Sequence, residues 1–473
     1  MGYSVTMGVY YKPSDAWAGD FIPFHWDGKY HLFYLKDYRD EERHGRGMSW
    51  YHVTTSDFLE YEDHGEAISH GDETDQDLYA FTGCVFEKDR LFHIFYTGHN
   101  PLDNGKPDQA IMHAKSQDLV SWEKDQRFVI WADEDIYEPD DWRDPFVFWN
   151  QEAEQYWMLI AARVNKGPES RRGCIGLATS ENLEDWEVRG PFWSPDLYYI
   201  HECPDLFEWD GTWYLIYSTF TERQVTHYRM SRDLSGPWTA PRNDTFDGRS
   251  FYAAKTAGNG ERRFIFGWNP TKEGRIDEGA WQWGGNLVVH EVLRDESDSL
   301  SVRIPDSVRE RFGDDLPLSP ETKLGDWKML DSKVVCEETD GFSLISLSET
   351  PPTCLFSTTV SWKPGTRGLG IMVRYDHESG SNYQARIEPQ NSRIVYDRWP
   401  RPGDQAFMIE RPLDVREGRP LRIDLILEET IVEIYADEKV ALSSRAYDET
   451  QGELCLFVSE GEATFENLQL KRD

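Results

Sequence analysis

Five stretches of the chain carry one phrase: DGKYHLFY at 27–34, KDRLFHIFY at 88–96, EAEQYWMLI at 152–160, DGTWYLIY at 210–217 and GERRFIFGW at 260–268. Each sets a polar turn ahead of alternating large apolar residues. That period of two is the mark of a β-strand with one face buried. The copies recur at roughly 50 to 65 residues, a spacing that signals a repeat architecture. A second phrase trails the first: TSDFLEY (55–61), SQDLVSW (116–122), SENLEDW (180–186) and SRDLSGPW (231–238). It reads as a turn that closes each repeat and packs an aromatic ring. Five four-stranded units predict an all-β fold, a five-bladed β-propeller spanning residues 1–300. An array of sandwiches is the rival, but sandwiches do not normally carry so regular a repeat.

The pattern changes near residue 300. Residues 301–325 are rich in charge, Pro and Gly and read as a linker with one short helix around Ser307–Phe312. From 326 to 473, short alternating strands continue without the repeat phrase, as in LFSTTVSW and LRIDLILEETIVEIYAD. This predicts a C-terminal β-sandwich, with a hairpin turning at Ala436–Glu438.

The innermost strand of a propeller blade lines the central channel, so the residues just ahead of each phrase converge on one axis. They are GDFIPF, FTGCVF, RDPFVF, ECPDLF and FYAAKT. Three of these five places carry a carboxylate: Asp20, Asp144 and Glu202. Glycoside hydrolysis needs such a set, one carboxylate to attack or to activate water and one acid to protonate the leaving oxygen. Crowding of like charges raises at least one pKa and keeps that proton available. Any one of these acids alone would be an ordinary strand-start residue capping backbone N–H groups. Three at matching repeat positions are hard to explain that way.

Bulk properties agree with a sugar substrate. The chain has 19 Trp, 23 Tyr and a net charge of −36. Such a charge excludes a nucleic-acid partner, which needs a basic footprint, and argues against an anionic membrane surface. The expected partner is a neutral oligosaccharide. No apolar run is long enough to span a bilayer, and the start shows no basic-then-apolar leader. The six scattered cysteines form neither a metal-ligand spacing nor a disulfide framework. Together these read as a cytoplasmic protein with reduced thiols and no metal or cofactor. The oligomeric state stays open, a homodimer included.

At these residues the sequence resembles glycoside hydrolase family 32, the invertases, inulinases and levanases, over nearly the whole chain. Arg143-Asp144-Pro145 is similar to the family's R-D-P triplet and Glu202-Cys203-Pro204-Asp205 to its E-C motif. Phe81-Thr82-Gly83-Cys84 resembles F-S-G-S, Phe251-Tyr252-Ala253 resembles F-Y-A, and Gly267-Trp268 resembles G-W. Trp50-Tyr51-His52 and the C-terminal VEIYAD add further likeness. The resemblance implies Asp20 as nucleophile, Glu202 as general acid/base and Asp144 as stabiliser of the oxocarbenium-like transition state. Arg143 would hold Asp144 or a sugar hydroxyl, and configuration would be retained through a covalent glycosyl-enzyme. Trp17, Phe81, Thr82, His201, Tyr252 and Trp268 complete the expected substrate contacts. Cys203 is expected to pack rather than react, since its setting is acidic. The acid run Asp133–Asp141 is expected to be a solvated loop at the rim.

The departures from the family pattern are local. The family's first motif, W-M-N-D-P-N-G, survives here only as Trp17 and Asp20, and the Asn beside the nucleophile is Gly19. The Gln usual after L-F-Y is Leu35, and the late P-R-E reads Val289-His290-Glu291. Catalytic acids are kept while sugar contacts change, which implies an intact reaction on an altered furanoside, by hydrolysis, transfer or cyclisation. Two rivals remain at this stage: a furanosidase of the family 43 type, with inverting chemistry, and a non-catalytic sugar-binding propeller.

Overall fold

The computed structural model describes residues 3–6, 8–102, 105–330, 332–337, 340–401, 408–415 and 418–473. It is built almost wholly of strands, in a propeller and a β-sandwich.

The first blade takes Trp17–Trp26, Lys29–Asp37, Trp50–Thr55 and Glu60–Ile68, with Tyr3–Thr6 added outside. The second takes Tyr79–Lys88, Leu91–His99, Gln109–Ser116 and Glu123–Lys124. The third takes Tyr137–Asn150, Gln155–Val164, Gly173–Ser180 and Glu187–Trp193. Glu202–Trp209, Thr212–Thr219 and Val225–Ser231 make the fourth, and Tyr252–Gly258, Arg263–Lys272 and Trp281–Arg294 the fifth. The first strand of each blade touches the first strand of the next, and the fifth returns to the first, closing the ring. One rung, Gly285 to Ala18, pairs the fifth blade with the first.

The alternation in the sequence becomes packing between blades. One buried cluster joins Phe33, Leu35 and Trp50 of the first blade to Ile94 and Tyr96 of the second. A second joins Phe95 and Ile111 to Trp142, Met158 and Ile160 of the third, and another joins Leu159 and Ile175 to Leu215 and Tyr217 of the fourth. Residues one apart on a strand therefore serve opposite neighbours. The trailing phrase is a turn with a definite mechanism. Ser116 Oγ accepts from the N–H groups of Asp118 and Leu119, and Asp118 Oδ1 accepts from those of Val120 and Ser121. Thr55 with Asp57, and Ser180 with Asn182, repeat this arrangement. Phe58, Leu119 and Leu183 consequently sit at φ of 64°, 65° and 69°, a strained conformation that these hydrogen bonds offset. The aromatic residue three further on ties back: Trp122 and Trp186 donate their indole N–H to the carbonyls of Leu119 and Leu183.

The sandwich has an eight-stranded and a seven-stranded sheet around one apolar core that includes Phe356, Ile371, Ile423 and Leu456. The hairpin Ile431–Ala436 to Val440–Arg445 turns where the sequence placed it. Much of the segment expected to be a linker is structured. Its helix spans Asp306–Arg311, Asp314–Leu316 pairs with Ala463–Arg472, and Glu321–Leu324 pairs with Phe342–Glu349. Charge and proline at these positions mark edge strands rather than free chain. The compact units also do not part at a single cut. One comprises Met1–Thr245, Phe251–Pro270 and Trp283–Val289, and the other Phe246–Ser250, Thr271–Gln282 and His290–Asp473.

Candidate active site

All five innermost strands carry one extra residue at the same height. Pairing to the second strand slips between Gly19 and Ile22, Phe81 and Gly83, Arg143 and Phe146, Glu202 and Asp205, and Tyr252 and Lys255. These are β-bulges, which re-aim side chains and often border active sites. In four blades the bulge holds a non-glycine residue in the left-handed region: Asp20, Asp144, Cys203 and Ala253, at φ of 48°, 55°, 50° and 49°. In the second blade a side chain at Gly83 would put its Cβ 1.9 Å from the Phe95 carbonyl oxygen, so only glycine fits.

The bulges give an exact register for the five blades and adjust the sequence reading by one residue. Asp20, Thr82, Asp144, Cys203 and Ala253 are equivalent, as are Gly19, Phe81, Arg143, Glu202 and Tyr252. Glu202 therefore stands at the position of Arg143, one place ahead of the two aspartates, and reaches the same cavity from there. That cavity has a volume of about 620 Å³ and is lined by Asp20, Asp144, Glu202, Arg143, Tyr252 and Trp283 among others.

Each carboxylate has its own donors. Asp20 accepts from Thr82 Oγ1 at 2.6 Å and from Trp268 Nε1 at 3.0 Å. Asp144 Oδ2 accepts the Cys203 N–H at 2.9 Å, while the Asp144 N–H donates to Thr97 Oγ1 at 2.8 Å. Glu202 is held on both oxygens, by Arg143 Nη2 at 3.0 Å and by the Tyr252 hydroxyl at 2.6 Å. Arg143 is itself oriented by Asp141 at 2.7 Å and Gln109 at 3.3 Å. Burial pushes the Asp20 carboxyl up to about 7, the charges of Asp144 and Glu202 adding to the rise and the Thr82 and Trp268 hydrogen bonds opposing it. Burial also raises Glu202, with Asp144 adding to the rise and Arg143 and Tyr252 opposing it. Burial disfavours the Arg143 charge, but Glu202, Asp144 and Asp141 together hold it above its ordinary range.

The remaining expected contacts divide. Phe81 lines the cavity beside Leu35, Met48, His99, Tyr199 and Phe220. Thr82 and Trp268 are buried behind the cavity and act on Asp20. Trp17 is not in the lining; it lies between Lys12 and Arg39, whose cations sit 5.3 and 5.0 Å from the ring. His201 is not in the lining either. It is fully buried against Trp193, Tyr198 and Tyr217, and burial pushes its imidazole down to about 3, so its role is packing. Cys203 is buried and raised well above the ordinary thiol range, by burial first and then by Asp144 and Asp20. The acid run before Arg143 is a structured wall. Glu138 pairs with Arg163 and Arg172, and Asp141 with Arg143.

Among the described residues, one group has metal-ligand composition: Asp247, His290 and Glu433. Its atoms are already engaged. His290 Nε2 meets Asp247 at 3.1 Å, His290 Nδ1 meets the Tyr435 hydroxyl at 2.8 Å, and Ser443 donates to Asp247 through N–H and Oγ. It reads as a buried hydrogen-bond network.

A five-bladed propeller that brings three carboxylates and an arginine to one cavity defines a class, the propeller glycosidases. The chain matches the glycosyl hydrolases family 32 N-terminal domain over residues 11–300 and the family 32 C-terminal domain over 331–472. It belongs to glycosyl hydrolase family 32 and is a glycosidase, which sets aside the family 43 and sugar-binding alternatives. It is 25% identical to a sucrose-6-phosphate hydrolase of Escherichia coli, over 96% of this chain and 92% of that protein. It is 23% identical to a levanbiose-producing levanase of Bacillus subtilis, over 98% and 90%. Its fold is similar to that of the exo-inulinase of Aspergillus awamori, with a TM-score of 0.73 at 17% identity over 98% of this chain and 97% of that one. The fructan 1-exohydrolase IIa of Cichorium intybus gives 0.72 at 15% identity, over 97% and 96%.

Proposed function

We propose that the protein cleaves or transfers a β-fructofuranosyl unit with retention, Asp20 acting as nucleophile, Glu202 as general acid/base and Asp144 as transition-state stabiliser. The observation that carries this is the convergence of Asp20, Asp144 and Glu202 on one cavity, each held by its own hydrogen-bond donors. Asp20 meets neutral donors, whereas Glu202 is clamped by a cation and a phenol. Burial raises both Asp20 and Glu202, and the like charges around each add to the rise, so the two carboxyls titrate as a coupled pair. The reactive form has Asp20 ionised and Glu202 protonated. Attack by Asp20 on the anomeric carbon breaks the glycosidic bond as Glu202 gives its proton to the leaving oxygen. Glu202, now ionised, takes a proton from water or an acceptor hydroxyl as that oxygen bonds to the anomeric carbon and the Asp20 carboxylate leaves. Asp144, fixed by the Cys203 N–H, faces the oxocarbenium-like ring.

The substrate is a neutral sugar. Among the described residues lining the cavity, the one Lys or Arg is Arg143, and it is committed to Asp141 and Glu202. A sugar phosphate would want a further cation. The six cysteines are all free and buried, which supports a reducing, cytoplasmic location. No helix among the described residues is long and apolar enough to cross a membrane.

The test is turnover of sucrose, 1-kestose, inulin, levan, difructose anhydrides and arabinofuranosides, with Asp20→Ala as control. Cleavage of at least one fructofuranoside, lost by roughly a thousandfold or more in the variant, is expected. Cleavage of arabinofuranosides alone would overturn the substrate assignment.

A further inference from the structure

Gly19 and Trp283 meet across the seam that closes the propeller. Trp283 stands two residues before Gly285, whose partner across the seam is Ala18. A Cβ on Gly19 would lie 2.6 Å from Trp283 Cζ2 and 2.8 Å from Cη2. The indole thus fills the volume that any side chain next to Asp20 would need. The indole also lines the catalytic cavity, and its ring lies 5.7 Å from Trp268, the residue that donates to Asp20. Its backbone is pinned: Arg39 Nη2 donates to the Trp283 carbonyl at 2.6 Å and to that of Gly284 at 3.3 Å, while the guanidinium stacks on Trp17. Gly284, at φ 79°, puts a left-handed residue into the strand directly after Trp283.

We propose that Gly19 and Trp283 form an exchange pair that sets specificity, an aromatic face taking the place of a hydrogen-bonding side chain beside the nucleophile. This rests on the proposed function. A face of this kind offers C–H contact and leaves a free hydroxyl unpaired, which is costly in a buried site. The pair therefore selects a furanosyl unit whose edge over Gly19 presents C–H groups or an oxygen already substituted, as in a branched or cyclic fructoside. It disfavours a terminal fructosyl unit with every hydroxyl free. Arg39 and Trp17 are the positioning residues of this wall.

The experiment compares kcat/KM on sucrose and on a difructose anhydride for the wild type, Gly19→Asn, Trp283→Ala and the double variant, with a thermal melt of each. Gly19→Asn alone is expected to lose at least tenfold on both substrates, because its side chain collides with the indole. The double variant should regain that loss on sucrose and shift the sucrose-to-anhydride ratio at least tenfold toward sucrose, mainly through KM. Additive single effects, or an unchanged ratio in a folded double variant, would overturn the pair while leaving the proposed function intact. A wild type that cleaves no fructofuranoside would instead overturn the proposed function and this inference with it. Should Gly19→Asn fold poorly, Gly19→Ala serves in its place: its loss of melting temperature must vanish in the Trp283→Ala background, and persistence of that loss refutes the steric coupling.

Discussion

Replacing Asp20 by Asn should make the protein more stable above neutral pH, at the expense of activity. The Asp20 carboxyl is raised from an ordinary 3.8 to about 7 by burial and by its acidic neighbours. At 1.36 kcal/mol per pH unit, holding it ionised in the folded state costs up to about 4 kcal/mol. The side chain faces a cavity that admits water, so about 2 to 4 kcal/mol is the working range. The sign follows from proton binding. The folded protein binds this proton more tightly than the unfolded chain, so the wild type loses stability as pH rises from about 4 to about 7. Asparagine does not titrate, and its amide oxygen can still accept the Trp268 N–H. The stability difference between Asp20→Asn and wild type should be small at pH 4 and grow to its full value by pH 8. Thermal and urea unfolding of both proteins at pH 4, 6 and 8 measures it. A variant no more stable than wild type at pH 8, or an advantage that does not change with pH, would refute the reasoning. Such a gain on removing the proposed nucleophile is expected where a site holds charges for chemistry rather than stability.

Two further outcomes follow from the same geometry. Thr82→Val removes the 2.6 Å hydrogen bond to Asp20; a bond to a charged group contributes about 1.5 to 3 kcal/mol, so the ionisation of Asp20 that governs kcat/KM should move up in pH by about one to two units, with activity at pH 6 falling about ten- to a hundredfold relative to wild type and that ratio closing as pH rises. An unmoved limb in pH–rate profiles would show that Asp20 does not govern it. His290→Ala should destabilise by about 1 to 3 kcal/mol, because it removes one hydrogen-bond partner of the buried Asp247 and of the Tyr435 hydroxyl, whereas a chelator should leave the melting temperature of the wild type unchanged; a chelator-sensitive melt would mean that these residues hold a metal.

Much of the fold was legible because the signal repeats. The alternating phrase appears in all five blades, and the Ser/Thr-x-Asp/Asn turn recurs with the same hydrogen bonds at Thr55, Ser116 and Ser180. Single features were harder. Asp314–Leu316 and Glu321–Leu324 are edge strands whose polar composition hides them, and pairing with distant strands decides their state. In the site, the residue type drew attention to Asp20, Asp144 and Glu202, but their register depends on β-bulges that sequence spacing does not show. Glu202 and Cys203 look interchangeable until the slip at Glu202/Asp205 assigns Cys203 to the aspartates' position. His201 sits beside Glu202 in the chain, yet it lies just ahead of the strand and packs against Trp193, Tyr198 and Tyr217. Trp283 went unnoticed because its partner, Gly19, is far away in sequence. The pairing of two tryptophans with two glycines in WQWGG, at the strand that closes the ring, was the available sign.

The central claim is that Asp20 becomes covalently bonded to the sugar. Glu202→Gln treated with β-fructofuranosyl fluoride, whose leaving group needs no acid, should form the glycosyl-enzyme and then stall without a base. Rapid quench, digestion and mass spectrometry should find one hexosyl addition, on the peptide that contains Asp20, and none in the Asp20→Asn/Glu202→Gln double variant. An adduct on Asp144, or turnover with inverted product and no adduct, would contradict the account.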